Sequence, residues 1–212
     1  QAGGFSTDTV TEDIDIIATI HRFMKENKRK YQMVFTTDPI CWTEAPRSLS
    51  MLARQRRRWQ LGLMQTVMKH NKLIWSPRFG LLGLFSMPFH AYVEAVGCVI
   101  EAFGTFLVPF SFFIGAMPLD LFLSIIFLAV GYGTLLSMGA VLLEETTLHR
   151  YPRLRHVLIL MIFAIFENVG FRQIVTLFRA QGVFRYFTGL RKWEHVEHEG
   201  ATPGMAVARS QA

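Results

Sequence analysis

Two short runs of residues can do chemistry. Thr11-Glu12-Asp13 offers carboxylates able to take a proton, and Gln55-Arg56-Arg57-Arg58-Trp59 offers cations beside an indole. On a helix Gln55, Arg58, Trp59 and Gly62 fall at i, i+3, i+4 and i+7 and so share one face, while Arg56 and Arg57 point elsewhere on that turn. Both runs precede a long stretch of membrane-grade hydrophobicity. Acid, cations and indole would then stand on the water side at the mouth of a membrane segment. An enzyme handling anionic activated substrates and a polymer or lipid acceptor needs that order. A protein resting a basic face on anionic lipid needs it too.

The elements that must position these residues follow from periodicity. After the Gly3-Gly4-Phe5-Ser6 loop, Ile14, Ile17 and Ile20 repeat at helical spacing, which predicts a helix starting near Glu12. Acidic groups at a helix start gain about 0.3–1 kcal/mol from its dipole, so Asp13 read alone is a capping residue. Tyr31, Met33 and Phe35 alternate with Gln32, Val34 and Thr36, which predicts a short strand. Asp38-Pro39 and Ala45-Pro46 bracket a loop, and Ser48 is placed to cap a helix running to about His70.

From Phe79 to His149 there is no Lys or Arg, and only Glu94, Glu101, Asp120, Glu144 and Glu145 carry formal charge. Two spans are expected near Tyr92–Gly115 and Leu119–Leu143, each long enough for a hydrocarbon core of about 30 Å, with Pro118 in a tight turn between them. Phe79 to His90, interrupted by Gly80, Gly83 and Pro88, reads as an interfacial helix or the start of a span. Val157–Phe178 is apolar in its first half and polar in its second. The positive-inside rule puts Arg150–Arg155 and also Arg179, Arg185, Arg191 and Lys192 on the inner side, yet a complete third span would separate them. We expect the complete span, with a re-entrant segment as the competitor. Glu94 and Glu101 lie seven apart, and at membrane depth they either line a polymer path or pair with other helices.

The net charge of +6 comes from basic clusters flanking apolar spans, which indicates anionic headgroups and not nucleic acid, since no motif or aromatic interleaving supports the latter. Cys41 and Cys98 make no disulfide or metal framework. The seven histidines show no zinc spacing, and His195 and His198 lie in a stretch, 195–212, expected to be disordered. The opening at Gln1, without an initiator Met, reads as a fragment of a longer protein.

Taken in order, Gly3-Gly4-Phe5, Thr11-Glu12-Asp13, Trp42-Thr43-Glu44-Ala45-Pro46, Gln55-Arg56-x-Arg58-Trp59 and the later Glu167-Asn168-Val169-Gly170-Phe171-Arg172-Gln173 resemble the C-terminal half of processive family 2 glycosyltransferases. These are the membrane synthases of cellulose, hyaluronan and poly-N-acetylglucosamine. The resemblance covers roughly residues 1–192 and implies a fold: the α/β edge of a GT-A-type catalytic domain, followed by an all-α transmembrane region of two to three helices plus an interfacial helix. Residues 1–75 would close the cytoplasmic catalytic domain, 76–91 would form the interfacial segment, 92–178 the transmembrane region and 179–212 a basic, polar tail.

The resemblance also implies roles. Asp13 would be the general base, Thr11 and Glu12 would shape the loop presenting it, and Gln55, Arg56, Arg58 and Trp59 would hold the donor diphosphate and the acceptor sugar. The residue types suit those tasks: a carboxylate for the attacking hydroxyl, Arg forks for phosphate, an indole face for a sugar ring. The full enzyme, a multi-pass protein of the cell (inner) membrane, would take a sugar from a UDP-sugar donor to a glycan or lipid acceptor. It would need Mg²⁺ or Mn²⁺ on an Asp-x-Asp motif outside this chain, and no metal site is expected here. Asp13-Ile14-Asp15 has that spelling but follows Thr-Glu directly. Because the nucleotide-binding half is missing, this polypeptide alone is expected to be inactive. A non-catalytic glycosyltransferase-like subunit and a membrane scaffold or transport protein are the other readings.

Overall fold

The computed structural model describes residues 3–34, 36, 43–148 and 153–189. Six helices carry the described chain: α1 (Glu12–Glu26), α2 (Leu49–Lys69), α3 (Leu82–Phe113), α4 (Leu119–Leu148), α5 (Leu154–Phe166) and α6 (Arg172–Phe187). Trp42, Cys41, Asp38-Pro39, Phe35, His149 and Arg150, and with them Arg191, Lys192, His195, His198 and the expected tail, lie outside the described residues.

The head begins with the two helices that carry the chemistry. α2 starts where expected, with the Ser48 hydroxyl accepting the Met51 N–H at 3.2 Å. α1 starts after Thr11, whose side chain caps nothing and is instead buried. The strand expected over 31–36 is not formed: Tyr31–Val34 and Thr36 are irregular, and no strand occurs among the described residues. Alternating side chains supply a face, but a strand also needs a second strand to pair with its N–H and C=O groups, which side-chain alternation does not provide.

The Phe79–His90 stretch does not stay separate from the first long helix. From Leu82 the chain winds continuously to Phe113, with π-helical turns at Leu82–Ser86 and Phe89–Val96 on either side of Pro88. α3 and α4 then form an antiparallel hairpin in which Phe112 stacks on Phe122 at 4.5 Å between ring centroids. Phe103, Phe106, Phe110, Phe127 and Leu135 are exposed along the pair, as suits a hydrocarbon surround.

Among the described residues three stretches are long and apolar enough to cross a membrane: Leu82–Phe113, Leu119–Leu148 and Leu154–Phe187. The third is not straight. Val169 (φ −110°, ψ 100°) and Gly170 (φ 89°, ψ −53°) leave helical geometry, a left-handed step that glycine takes without steric cost. The two halves run in opposite senses. Past the end of α5, the Asn168 amide donates to Ser137 Oγ at 3.3 Å, midway along α4, so α5 lies antiparallel to α4. Arg172 pairs with Glu101 and Arg179 with the Glu94 carbonyl, so α6 runs antiparallel to α3. α6 thus returns towards the head and buries Val183 in a core with Leu63, Met64 and Val67 of α2 and Ala91, Ala95 and Cys98 of α3.

Candidate functional site

The tripeptide and the arginine-rich turn are brought together because α1 is seated on α2. Gly62 of α2 meets the Thr11 side chain so closely that an added Cβ would lie 2.7 Å from Thr11 Cβ. One turn further, the Gln65 side chain accepts the Val10 N–H at 2.9 Å. The loop leading to Asp13 is therefore pinned to α2 at Val10 and at Thr11.

Below, Asp15 anchors α1 to the end of α2. Its carboxylate, 1% exposed, accepts from Lys69 Nζ at 2.9 Å and from His70 Nε2 at 3.0 Å. Burial is the largest influence on His70 and pulls its pKa below the ordinary value, with the Asp15 hydrogen bond opposing. The geometry agrees. His70 Nδ1 is buried without a partner, so protonation there would place an N–H where nothing accepts it. Burial and the unpartnered Nδ1 both favour the neutral ring, with Nε2–H donating to Asp15.

Val10–Ile14, Arg56, Arg58, Trp59, Gln60, Leu63, Glu94, Val175 and Arg179 line a cleft of about 600 Å³. Of the residues expected from the sequence, Thr11, Glu12, Asp13, Arg56, Arg58 and Trp59 all face it. Gln55 is not among its lining residues. The Asp13 carboxylate also accepts the Ile14 N–H at 2.9 Å, as a residue in the first turn of a helix does, and it stays exposed at the rim. Its helix-starting role and its place in the cleft coexist.

Trp59 is 44% exposed, and the Arg56 guanidinium stands 4.7 Å from the centre of its ring, a cation–π contact that presents charge and aromatic face as one surface. Burial, and after it the Arg179 guanidinium, lowers the Arg56 pKa, against Glu167. Crowding of cations in a cleft favours an anion there. Arg57 turns the other way and donates to Gln181 of α6 at 3.2 Å.

Three contributors escaped the sequence reading as parts of the site, Gln60, Gln65 and Arg179, while Glu94, read as path lining or helix pairing, stands in the cleft wall. Gln60 directly follows Trp59, and only its burial, 3% exposed, separates it from a surface amide. Arg179 lies far along the chain in a cluster that read as inner-side charge. Glu101, read as path lining or helix pairing, pairs with Arg172 at 2.8 Å. The Glu167–Gln173 run makes the kink itself, with Gln173 Oε1 accepting the Gly170 N–H at 2.7 Å. Among the described residues no three His, Cys, Asp or Glu side chains group as metal ligands.

The profile of the glycosyl transferase family group 2 matches residues 1–166. Chitin synthase 8 of Mycosarcoma maydis is 38% identical over 73 residues, which is 34% of this chain and 3% of that protein. The chain therefore spans a small fraction of the length of the curated relative it matches. No solved structure matches it.

Proposed function

This chain belongs to glycosyl transferase family group 2, and from that premise we propose that its cleft is the acceptor side of an inverting sugar transferase embedded in a membrane. One observation carries the reading: Asp13, Arg56, Arg58 and Trp59, drawn from two helices, line the same cleft at the head of the apolar helices.

Asp13 takes the proton of an acceptor hydroxyl as that oxygen attacks the anomeric carbon of a nucleotide diphosphate sugar. The bond from that carbon to the diphosphate breaks, the diphosphate leaves with the electron pair, and configuration at the carbon inverts. Arg56 and Arg58 stabilise the departing anion, and Trp59 offers its face to a sugar ring. The acceptor is a growing β-linked glycan, and the head lies on the cytoplasmic face of the cell membrane, where nucleotide sugars are supplied. The remainder of the donor pocket, closing this α-helical surface with the sheet of a GT-A-type domain, belongs to the longer protein. A divalent cation is implied by the family, but the described residues offer no ligand set for it, and no step here runs through a metal.

The test is transfer from UDP-sugars by the full-length protein in lipid nanodiscs, with Asp13→Asn beside wild type. The isosteric amide cannot take the proton, and the expected loss is roughly 10²–10⁴-fold in kcat. An Asp13→Asn protein that transfers sugar at the wild-type rate would sink the assignment. Wild-type protein that binds glycan or UDP but never turns over would make the cleft a binding element of an accessory subunit.

A further inference from the structure

We infer that Arg179, on the last helix, is a positioning residue for the arginine–tryptophan turn of α2, acting through Gln60. The inference rests on the glycosyl-transfer reading of the cleft and adds to it a residue that the tripeptide and the arginine-rich motif do not contain.

The π-helical turns at Phe89–Val96 widen α3 beside the site, and the Glu94 and Ala95 carbonyls accept side-chain donors from two other helices. Gln60 Nε2 donates to Glu94 O at 2.9 Å and to Ala95 O at 3.3 Å, while Gln60 Oε1 accepts from Arg179 Nε at 3.0 Å. Arg179 Nη2 donates to the same Glu94 carbonyl at 2.9 Å. Only one orientation of the amide works, because the carbonyls need a donor and the guanidinium needs an acceptor. The result is a closed loop among α2, α3 and α6, in which the planar guanidinium holds two acceptors at once.

This loop sits at the site. Gln60 and Arg179 both line the cleft with Arg56, Arg58 and Trp59, and Gln60 is bonded into the backbone next to Trp59. Gly182 confirms how closely α6 is seated: a Cβ there would lie 2.7 Å from the Arg57 carbonyl oxygen and 2.8 Å from Gln60 Cβ. Removing the fork releases the Gln60 amide, and the turn carrying Arg56, Arg58 and Trp59 loses its fixed distance from α3. A small misplacement of groups that stabilise a leaving diphosphate reduces the rate far more than it reduces binding.

The experiment compares wild type, Arg179→Met, Arg179→Lys, Gln60→Met and the Arg179→Met/Gln60→Met double variant. Each is measured as full-length protein in nanodiscs for UDP-sugar turnover, for UDP binding by calorimetry and for monodispersity. Arg179→Met and Gln60→Met are each expected to lower kcat roughly 10²-fold, with KM for the donor and UDP affinity moved much less. The double variant should be no worse than either single one, since both break the same loop. Arg179→Lys keeps the charge but not the fork and should recover little activity; it carries the test if the Met variant fails to fold. Full rescue by Lys, additive losses, or wild-type kcat in Arg179→Met each overturn the inference while leaving glycosyl transfer intact. A wild-type protein with no turnover overturns the glycosyl-transfer reading first, and this one with it.

Discussion

Asp13 and Asp15 show how two residues of one type on one turn take opposite tasks. Asp13 stays at the rim of the cleft, whereas Asp15 points inward and is closed over by Lys69 and His70. The buried group has a pH signature. The folded pKa of His70 is lowered, so the unfolded chain binds its proton more readily than the folded one. Stability from neutral His70 is fully present above its ordinary pKa of about 6.5 and is lost as pH falls through the lowered folded value. The denaturation midpoint of the detergent-solubilised protein should drop between pH 7.5 and pH 5.5. His70→Gln, which keeps an N–H for Asp15 but cannot titrate, should flatten that dependence. A wild-type midpoint that rises on acidification would show that the Asp15 bond outweighs desolvation.

At the scale of elements, the site is a matter of how closely three helices approach. Small residues mark the contacts: Gly62 against Thr11 for α1 on α2, and Gly182 against Arg57 and Gln60 for α6 on α2. Gly62→Ala would push Thr11, and with it the start of α1, away from the Arg58–Trp59 surface. Overpacking of this kind costs about 1–3 kcal/mol. The expected result is a lowered denaturation midpoint and a kcat reduced by about tenfold or more. Thr11→Gly, which removes the facing side chain, should restore part of both in the double variant. If Gly62→Ala leaves midpoint and rate unchanged, α1 is free to shift and its seating does not govern the cleft.

Across the whole molecule, the step at Val169–Gly170 decides which side the last helix occupies. α5 runs antiparallel to α4 and α6 antiparallel to α3, so the start of α5 and the end of α6 lie on the side of the head. The reversal also removes the conflict over charge, because Arg153 and Arg155 share a side with Arg179 and Arg185. Cysteines placed singly at Arg153 and Thr188 in a cysteine-free full-length protein should both react with a membrane-impermeant maleimide from the side that labels the head. One at Ala116, in the α3–α4 turn, should react only from the other side. Labelling of Thr188→Cys from the Ala116 side would mean that the third stretch crosses completely.

Local patterns and bulk hydropathy were enough to locate α1, α2 with its Ser48 cap and the α3–α4 hairpin, and of the seven site residues expected from the sequence six line the cleft. These depend on periodicity, capping chemistry and motif order, all carried by neighbours in the chain. The strand over 31–36 was not legible in the same way, because a strand exists only through a partner that sequence alternation cannot supply. Gln55 shares a helical face with Arg58 and Trp59 yet stands outside the cleft lining, since a shared face does not say how far along a helix the neighbouring element reaches. The sequence by itself determined the chemical types at the site, the family to which the chain belongs and the apolar stretches behind it. Only the tertiary structure decided that α6 turns back at Gly170, that Arg179 and Gln60 close a loop on the Glu94 carbonyl, and that Asp15 is buried while Asp13 is not. Each of those depends on distances between residues far apart in the chain, which packing sets and residue order alone does not.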